Sequence, residues 1–383
     1  MSRLTLFHVG FLFLILFFTT TAKAQKEAET FNVDSTLYEY YQRCQECLLE
    51  PVVLNMSDTL FRMAGERQDE RMQAVAIATQ LDYYYFQGTN EDSVIHYTNK
   101  VKEFAKATHQ PKYYYFAWAN RLITYYLKTS RTNIALYEVQ NMLKEAQEED
   151  DKTGLSRCYN IMSQIYTIKR FDSMAFEWRL KEIELTEKYK IENYNISQTY
   201  AQIANYYINQ KKQKEALAAV EKAIATANSS TQQISAKLEF VNYYSKFGDF
   251  QAAEKLLKEC QAAFEQDKRL ESIKKRLYNI ECLYYQQTKQ YQKALEAAKM
   301  QEKEERRLSE SILSSIHYRT QGEIYQKMGN MNLAVKYLQM YINTDDSLKI
   351  ANEQVSSSEF ATLLNVEKLN AEKKELMLQA QEK

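Results

Sequence analysis

Residues that interrupt helices are scarce in this chain. Its 383 residues include seven Gly and two Pro. Because Gly adds backbone freedom and Pro removes a backbone donor, few positions favour the end of a helix. Good helix formers such as Ala, Leu, Glu, Lys and Gln are abundant. The composition therefore predicts an all-α protein, and a hydrophobic fraction of 45% excludes a disordered one.

The sequence contains no motif typical of a catalytic site. It lacks H-E-x-x-H, G-x-S-x-G, the phosphate-binding P-loop and G-x-G-x-x-G. Beyond the first 24 residues, the three histidines His96, His109 and His317 are far apart along the chain. An isolated His lacks the orienting partner that acid–base catalysis needs. We therefore predict a non-enzymatic protein without a cofactor or a metal.

Neither sign of charge is in excess, since 50 Lys and Arg side chains stand against 50 Asp and Glu side chains. A protein that binds nucleic acid or an anionic membrane surface usually carries a basic patch. The balanced and interspersed charges therefore argue against both nucleic acid and an anionic membrane surface as partners. We expect a membrane contact only through a segment beyond Lys383.

The five cysteines give a weak functional signal. Cys44 and Cys47 form a C-x-x-C pair, which is compatible with a redox pair or with half of a metal site. No second C-x-x-C and no clustered His complete a metal site. Cys260 and Cys282 stand where the repeat described below has small residues. We interpret these cysteines as packing residues, with a thiol-active Cys44/Cys47 pair as the alternative.

The N-terminus has the features of a secretory signal peptide. Arg3 precedes an apolar run at residues 4–18, and an Ala-Lys-Ala cleavage site follows at 22–24. The run is shorter than the roughly 20 residues that cross a membrane. We assign residues 1–24 to the signal peptide and 25–33 to a flexible segment, and we expect the mature protein in the periplasm or cell envelope.

A tyrosine followed nine residues later by a small residue recurs along the chain. The tyrosines are 41, 40, 41, 37, 41 and 40 residues apart, and a fixed period of this size is typical of stacked helical repeats. The pairs are Tyr85/Val94, Tyr126/Ala135, Tyr166/Ala175, Tyr207/Ala216, Tyr244/Ala253, Tyr285/Ala294 and Tyr325/Ala334. The pattern predicts seven helical hairpins, with the tyrosine late in the first helix (helix A) and the small residue early in the second (helix B).

The remaining sequence predicts a segment on each side of these hairpins. The array covers residues 71–346, and residues 34–70 lack the tyrosine pattern, which indicates an N-terminal capping hairpin. Residues 347–383 contain no Gly or Pro and predict one long C-terminal helix. The apolar residues of this helix that are suited to cover the last hairpin are Phe360, Leu363, Leu364 and Val366.

Two further positions identify the type of repeat. Small residues three before the tyrosine are Ser163, Ala204, Cys282 and Gly322. The residues four after it are Gly248 and Gly329, which suit a left-handed helix end, and Ser130, Arg170, Lys211 and Lys289 elsewhere. In these features the chain resembles tetratricopeptide repeats, although its period exceeds the usual length of about 34 residues. The resemblance implies a right-handed α-solenoid of about seven hairpins.

A second resemblance concerns function. The Tyr-rich segments 112–118 and 193–207 and the segment 360–376 resemble the extracytoplasmic sensor region of bacterial membrane-bound histidine kinases with tetratricopeptide sensors. It implies the sensor part of a two-component signalling system, with a membrane span beyond Lys383. The alternative is a standalone periplasmic adaptor or scaffold for envelope protein complexes.

In tetratricopeptide arrays helix A lines a concave groove, so the resemblance implies a ligand-binding face here. Its amide and guanidinium groups suit hydrogen bonds to a protein or peptide ligand, with a glycan or a small molecule as alternatives. The predicted groove residues are Asn120, Asn160, Asn205, Asn242, Arg276, Asn279 and Arg319. The simpler interpretation is that a groove open to water is polar without binding anything.

Overall fold

The computed structural model describes residues 33–88, 90–193, 195–308 and 316–347. Every regular element in these ranges is a helix. The chain divides between Ile161 and Met162 into two compact units, unit 1 and unit 2. The predicted signal peptide and almost all of the predicted C-terminal helix, including Phe360, lie outside the described residues.

Unit 1 begins with the predicted capping hairpin, formed by α1 (Ser35–Glu46) and α2 (Val52–Glu66). The Asp34 carboxylate accepts hydrogen bonds from the backbone amides of residues 36 and 37, at 2.9 and 3.1 Å, and so caps α1. Pro51 directly precedes α2, where its missing N–H costs nothing.

Two repeat hairpins follow in unit 1. Their elements are α3 (Glu70–Gln87), α4 (Glu91–Ala107), α5 (Pro111–Tyr115), a π-helix (Phe116–Ile123), α6 (Thr124–Lys128) and α7 (Thr132–Glu148). The π-helix widens the middle of helix A, and the Thr124 hydroxyl donates to the carbonyl of Ala119, five residues earlier, at 2.8 Å. This π-helix is not predicted from the sequence, because no residue type in Phe116–Ile123 distinguishes a π-helix from an α-helix.

Helix α8 (Lys152–Ile168) contains the division between the units. The elements that follow in unit 2 are α9 (Asp172–Tyr189), α10 (Ile196–Asn209), α11 (Gln213–Ala225), α12 (Ser230–Phe247), α13 (Phe250–Gln266), a 3₁₀-helix (Lys268–Ile273), α14 (Lys274–Gln287), α15 (Tyr291–Leu308), α16 (Ile316–Lys327) and α17 (331–347). Among the described helices, none has both the length and the apolar character needed to cross a membrane.

Six of the turns between helix A and helix B close in the same way. The carbonyl of the repeat tyrosine accepts a hydrogen bond from the amide five residues later, at 2.8 to 2.9 Å. The residue four after the tyrosine is left-handed in every case, with φ from 56° at Lys211 to 91° at Gly248. Ser130, Arg170 and Lys289 thus adopt the conformation that glycine favours, because the tyrosine carbonyl is satisfied in return.

The repeat positions pack as the sequence predicts. The small residue nine after the tyrosine is 0 to 3% exposed in all seven hairpins. Within unit 2 one core joins Leu238 of α12, Leu257 and Cys260 of α13, and Leu277 of α14, so each hairpin shares its apolar face with the next. The prediction of an all-α array of seven helical hairpins is confirmed for the described residues.

Candidate functional site

A polar pocket of about 300 Å³ lies among α8, α9 and α10 in unit 2. We call it the Arg179 pocket. Its lining residues are Thr167, Asp172, Arg179, Gln202, Asn205, Tyr206, Asn209 and Gln210. Most of these side chains carry amide, hydroxyl or charged groups, which suits the hydrogen bonding of a polar ligand.

Helical spacing brings these side chains together. Asp172, Phe176 and Arg179 follow one another at four and three residues on α9, so they share a face of that helix. The ring of Phe176 stacks on Tyr206 of α10, with 4.0 Å between ring centroids and 14° between ring planes. Such a contact adds to apolar burial and holds α9 against α10 beside the polar groups. Asn209 donates to the Asn205 carboxamide oxygen at 2.9 Å.

Arg179 is 8% exposed, and its two polar contacts are with neutral groups. Nε donates to Oε1 of Gln202 at 2.8 Å, and Nη2 donates to Oγ1 of Thr167 at 2.7 Å. Among the described residues, no carboxylate oxygen forms an ion pair with this guanidinium. Because Arg remains protonated in proteins, the pocket holds a buried positive charge without a directly bound anion.

Two carboxylates act on Arg179 from a distance. Burial lowers the pKa of the guanidinium, while Glu182 and Asp172 act in the opposite direction. Glu182 is 1% exposed, and its oxygens accept from Nδ2 of Asn193 at 2.8 Å and from Oγ1 of Thr199 at 3.4 Å. Asp172 is exposed at the start of α9.

Two of the predicted groove residues, Asn242 and Arg276, meet on a buried carboxylate. Nη2 of Arg276 lies 2.7 Å from Oε2 of Glu239, and Nδ2 of Asn242 donates to Oε1 at 2.8 Å. Glu239 is 1% exposed and Asn242 is 8% exposed. We call these three residues the Glu239 cluster. Both predicted residues here serve contacts inside the array.

The structure places the other predicted residues separately. Asn205 lines the Arg179 pocket. Asn279 is half-buried on α14, and Arg319 is exposed on α16 with its Nε 3.6 Å from Oε1 of Glu323. Asn120 and Asn160, both half-buried, lie in unit 1.

Sequence reasoning missed Arg179 and Gln202. The groove prediction considered selected positions of helix A, whereas Arg179 lies on helix B. A signal was present, because Arg179 follows the buried Ala175 by four residues and therefore shares its core-facing side. A charged residue in that register indicates either an internal partner or a site.

The surroundings of Cys44 do not activate its thiol. Cys44 is buried in α1, Cys47 is half-buried at its end, and both are free thiols. Burial raises the pKa of the Cys44 thiol to about 11, which disfavours the reactive thiolate. The described residues contain no group of His, Cys, Asp and Glu side chains arranged for a metal ion.

No protein-family model and no curated protein matches this sequence. Among solved structures, a Rap protein complexed with competence and sporulation factor is 13% identical, with a TM-score of 0.48 over 88% of this chain and 99% of that one. NprR in complex with its cognate peptide NprX is 13% identical, with a TM-score of 0.48 over 70% and 77%. A tetratricopeptide repeat protein from Parabacteroides merdae is 12% identical, with a TM-score of 0.42 over 84% and 99%.

At these identities and TM-scores, the matches say nothing about what this chain binds. The type of repeat follows from the chain itself. Its evidence is the helical hairpins, the hydrogen bond that closes six of the turns, and the buried small residue nine positions after each repeat tyrosine. The described residues form an all-α array of tetratricopeptide-type helical hairpins.

Proposed function

We propose that this chain is a non-enzymatic binding protein whose hairpin array takes up a protein or peptide ligand in the cell envelope. The Arg179 pocket carries the proposal, because it combines a buried cation, several carboxamides and an aromatic ring between successive hairpins. A small number of polar groups placed in a pocket fix the orientation of the ligand that binds there. A repeat array supplies the extended surface around such a pocket.

We further propose that binding serves the sensor part of a two-component signalling system. The support is the sequence resemblance of residues 112–118, 193–207 and 360–376 to such sensor regions, together with the signal-peptide features of residues 1–24. Under this proposal the mature protein begins at Gln25. The open reading frame, or its neighbour, encodes a span of about 20 apolar residues beyond Lys383.

Affinity capture tests the binding proposal. Residues 25–383 are immobilised and exposed to envelope extract of the source cells, and captured proteins are quantified by mass spectrometry. A variant that joins Asn205→Ala with Asn209→Ala should lose a captured partner, while Gln292→Ala, which removes an exposed amide on α15, should retain it. Equal capture by all three chains would contradict a role for this pocket.

Two observations distinguish the sensor proposal from the adaptor alternative: the DNA sequence beyond the codon of Lys383, and the cell fraction that contains the protein. The sensor proposal expects an encoded apolar span and a kinase, with an N-terminus at Gln25 in the envelope fraction. A captured envelope partner without an adjoining span or kinase would favour the adaptor. A cytosolic chain that retains residues 1–24 would contradict both.

A further inference from the structure

We propose that Lys102 in unit 1 is a covalent modification site, whose ε-amine captures small aldehydes as an imine. The site goes beyond the proposed binding function, because it shares no residue with the Arg179 pocket. It is built from side chains of α4, α5, the π-helix and α7. We call these residues the Lys102 cluster, and they are Lys102, Tyr114, Trp118, Glu138 and Glu145.

The amine of Lys102 lies against aromatic rings instead of hydrogen-bond acceptors. Its Nζ is 3.1 Å from the ring centroid of Trp118 and 5.1 Å from that of Tyr114, and both rings are buried. Among the described residues, no oxygen accepts a hydrogen bond from Nζ. Nζ is also not one of the fully buried nitrogens that lack a partner. The amine of this half-buried side chain is therefore unbonded and within reach of a small molecule.

The two nearby carboxylates are held by other groups. Oε2 of Glu138 accepts from Nε1 of Trp118 at 2.8 Å. Oε1 of Glu145 accepts from Nζ of Lys106 at 3.3 Å, and Lys106 is an exposed lysine one turn after Lys102 on α4. Both carboxylates act on Lys102 through their charge, without direct contact. The nitrogen lone pair of Lys102 is thus the group of this cluster that is suited to nucleophilic attack.

Imine formation requires a neutral amine, whose lone pair attacks the carbonyl carbon. The carbonyl oxygen then leaves as water with the two amine protons, and a C=N bond remains, so the step needs no oxidant or reductant. Burial lowers the pKa of Lys102 to about 8, although Glu145 and Glu138 act in the opposite direction. The neutral amine is therefore more populated at neutral pH than in a lysine with the ordinary pKa of 10.5.

The Lys102 cluster favours an aldehyde over an acylating reagent. A protonated imine keeps the positive charge of the ammonium group. It therefore keeps the attraction of the Trp118 ring face and of the two carboxylates. An amide is neutral and would lose both. The product that fits these surroundings is the cationic imine.

Reductive trapping with acetaldehyde tests the site. Sodium cyanoborohydride reduces each imine on the purified protein to a stable N-ethyl-lysine, and peptide mapping by mass spectrometry gives the initial rate at every lysine. Two exposed lysines of unit 1 are internal controls. Lys100 donates to Oε1 of Gln80 at 3.4 Å. Lys128 has its Nζ 4.0 Å from the ring centroid of Tyr85, so it matches the aromatic contact without the burial.

We expect Lys102 to react about tenfold faster than either control at neutral pH, because more of its amine is neutral there. Raising the pH to about 10 should narrow the difference, since ordinary lysine amines also lose their protons in that range. Lys102→Arg should remove the fast fraction of the ethylation, because a guanidinium stays protonated. Lys128→Arg should retain it. Circular dichroism confirms that both variants are folded.

Three outcomes would overturn the proposal. The first is ethylation of Lys102 no faster than that of Lys100 and Lys128, which would mean that the rings shield the amine. The second is a fast fraction that persists in Lys102→Arg. The third is a larger preference for Lys102 with a neutral acetyl ester than with acetaldehyde, which would make the site an acylation site. None of these outcomes involves the Arg179 pocket, so the proposed function is tested separately.

Discussion

Arg276 and Arg179 lie in the same unit and are both turned inward, but only Arg276 has a carboxylate in direct contact. Arg276 contacts Glu239, whose side chain is 2% exposed, and Asn242 completes the Glu239 cluster. Arg179 contacts the neutral Gln202 and borders a pocket. The difference teaches that an inward arginine contributes to the fold where its counter-charge is internal. Where no carboxylate is in direct contact, the same side chain borders a polar pocket instead.

The largest expected effect on stability is at Arg276, which forms an ion pair with Glu239. Arg276→Met should destabilise the protein by about 3 to 5 kcal/mol, because it leaves the buried Glu239 carboxylate without its partner. Urea unfolding measures the change. The double variant with Glu239→Gln should recover much of the loss, since the remaining side chains are then neutral. A single variant as stable as the wild type would show that the ion pair does not support the fold.

The pH dependence of this variant follows from the pKa of Glu239. Burial raises that pKa above its ordinary value of 4.5, while Arg276 and Asn242 lower it. A raised pKa in the folded state means that folding favours the protonated Glu239. The stabilisation from this protonation is therefore complete below pH 4.5 and is lost as the pH rises through the folded-state pKa. Removing Arg276 raises the folded-state pKa further. The gap in unfolding free energy between wild type and variant should therefore narrow as the pH falls toward 4.5.

An intermediate effect is expected for the amide of the same cluster. Asn242→Ala should cost about 1.5 to 3 kcal/mol, because it removes a hydrogen bond to a charged, buried acceptor. Asn279→Ala, at a half-buried position of α14, is the matched control and should cost less. Calorimetric unfolding of the two variants gives the comparison, and equal losses would remove the distinction between them.

The smallest expected effect is for a substitution that gives Arg179 an ion pair inside the protein. Gln202→Glu replaces the amide oxygen that accepts from Nε of Arg179 at 2.8 Å with a carboxylate oxygen. We expect a gain of about 1 kcal/mol in unfolding free energy, because a hydrogen bond between charged groups replaces one to a neutral acceptor. Adding Arg179→Gln should cancel the stability gain, which a double-mutant cycle measures. A variant no more stable than the wild type would show that Glu182 and Asp172 already compensate the charge of Arg179.

The sequence predicts the hairpins well because their determinants are local. A tyrosine, a turn and a small residue recur within ten positions, and each reports on the backbone of its own hairpin. Even Lys211 and Lys289, which weaken the turn signal, adopt the same left-handed conformation. The π-helix in Phe116–Ile123 escapes prediction because side-chain type does not encode it.

The candidate site is harder to predict because its determinants join distant residues. Arg179 and Gln202 are 23 positions apart, and Glu239 and Arg276 are 37 apart, so no helical period links them. Asn205 and Asn242 look alike in the tyrosine register. One lines a pocket and the other contacts a buried carboxylate. Only the side chains on neighbouring helices separate these two outcomes.

The uniform closure of the turns has a consequence for engineering. Ser130, Arg170, Lys211 and Lys289 hold a Cβ in the left-handed region, which costs an L-residue roughly 1 to 2 kcal/mol. Glycine at Gly248 and Gly329 avoids this cost within the same hydrogen-bonded turn. The natural sequence therefore leaves stability unused at several surface positions. A heat-resistant form could be built from these turns alone, with every buried contact of the array left as it is.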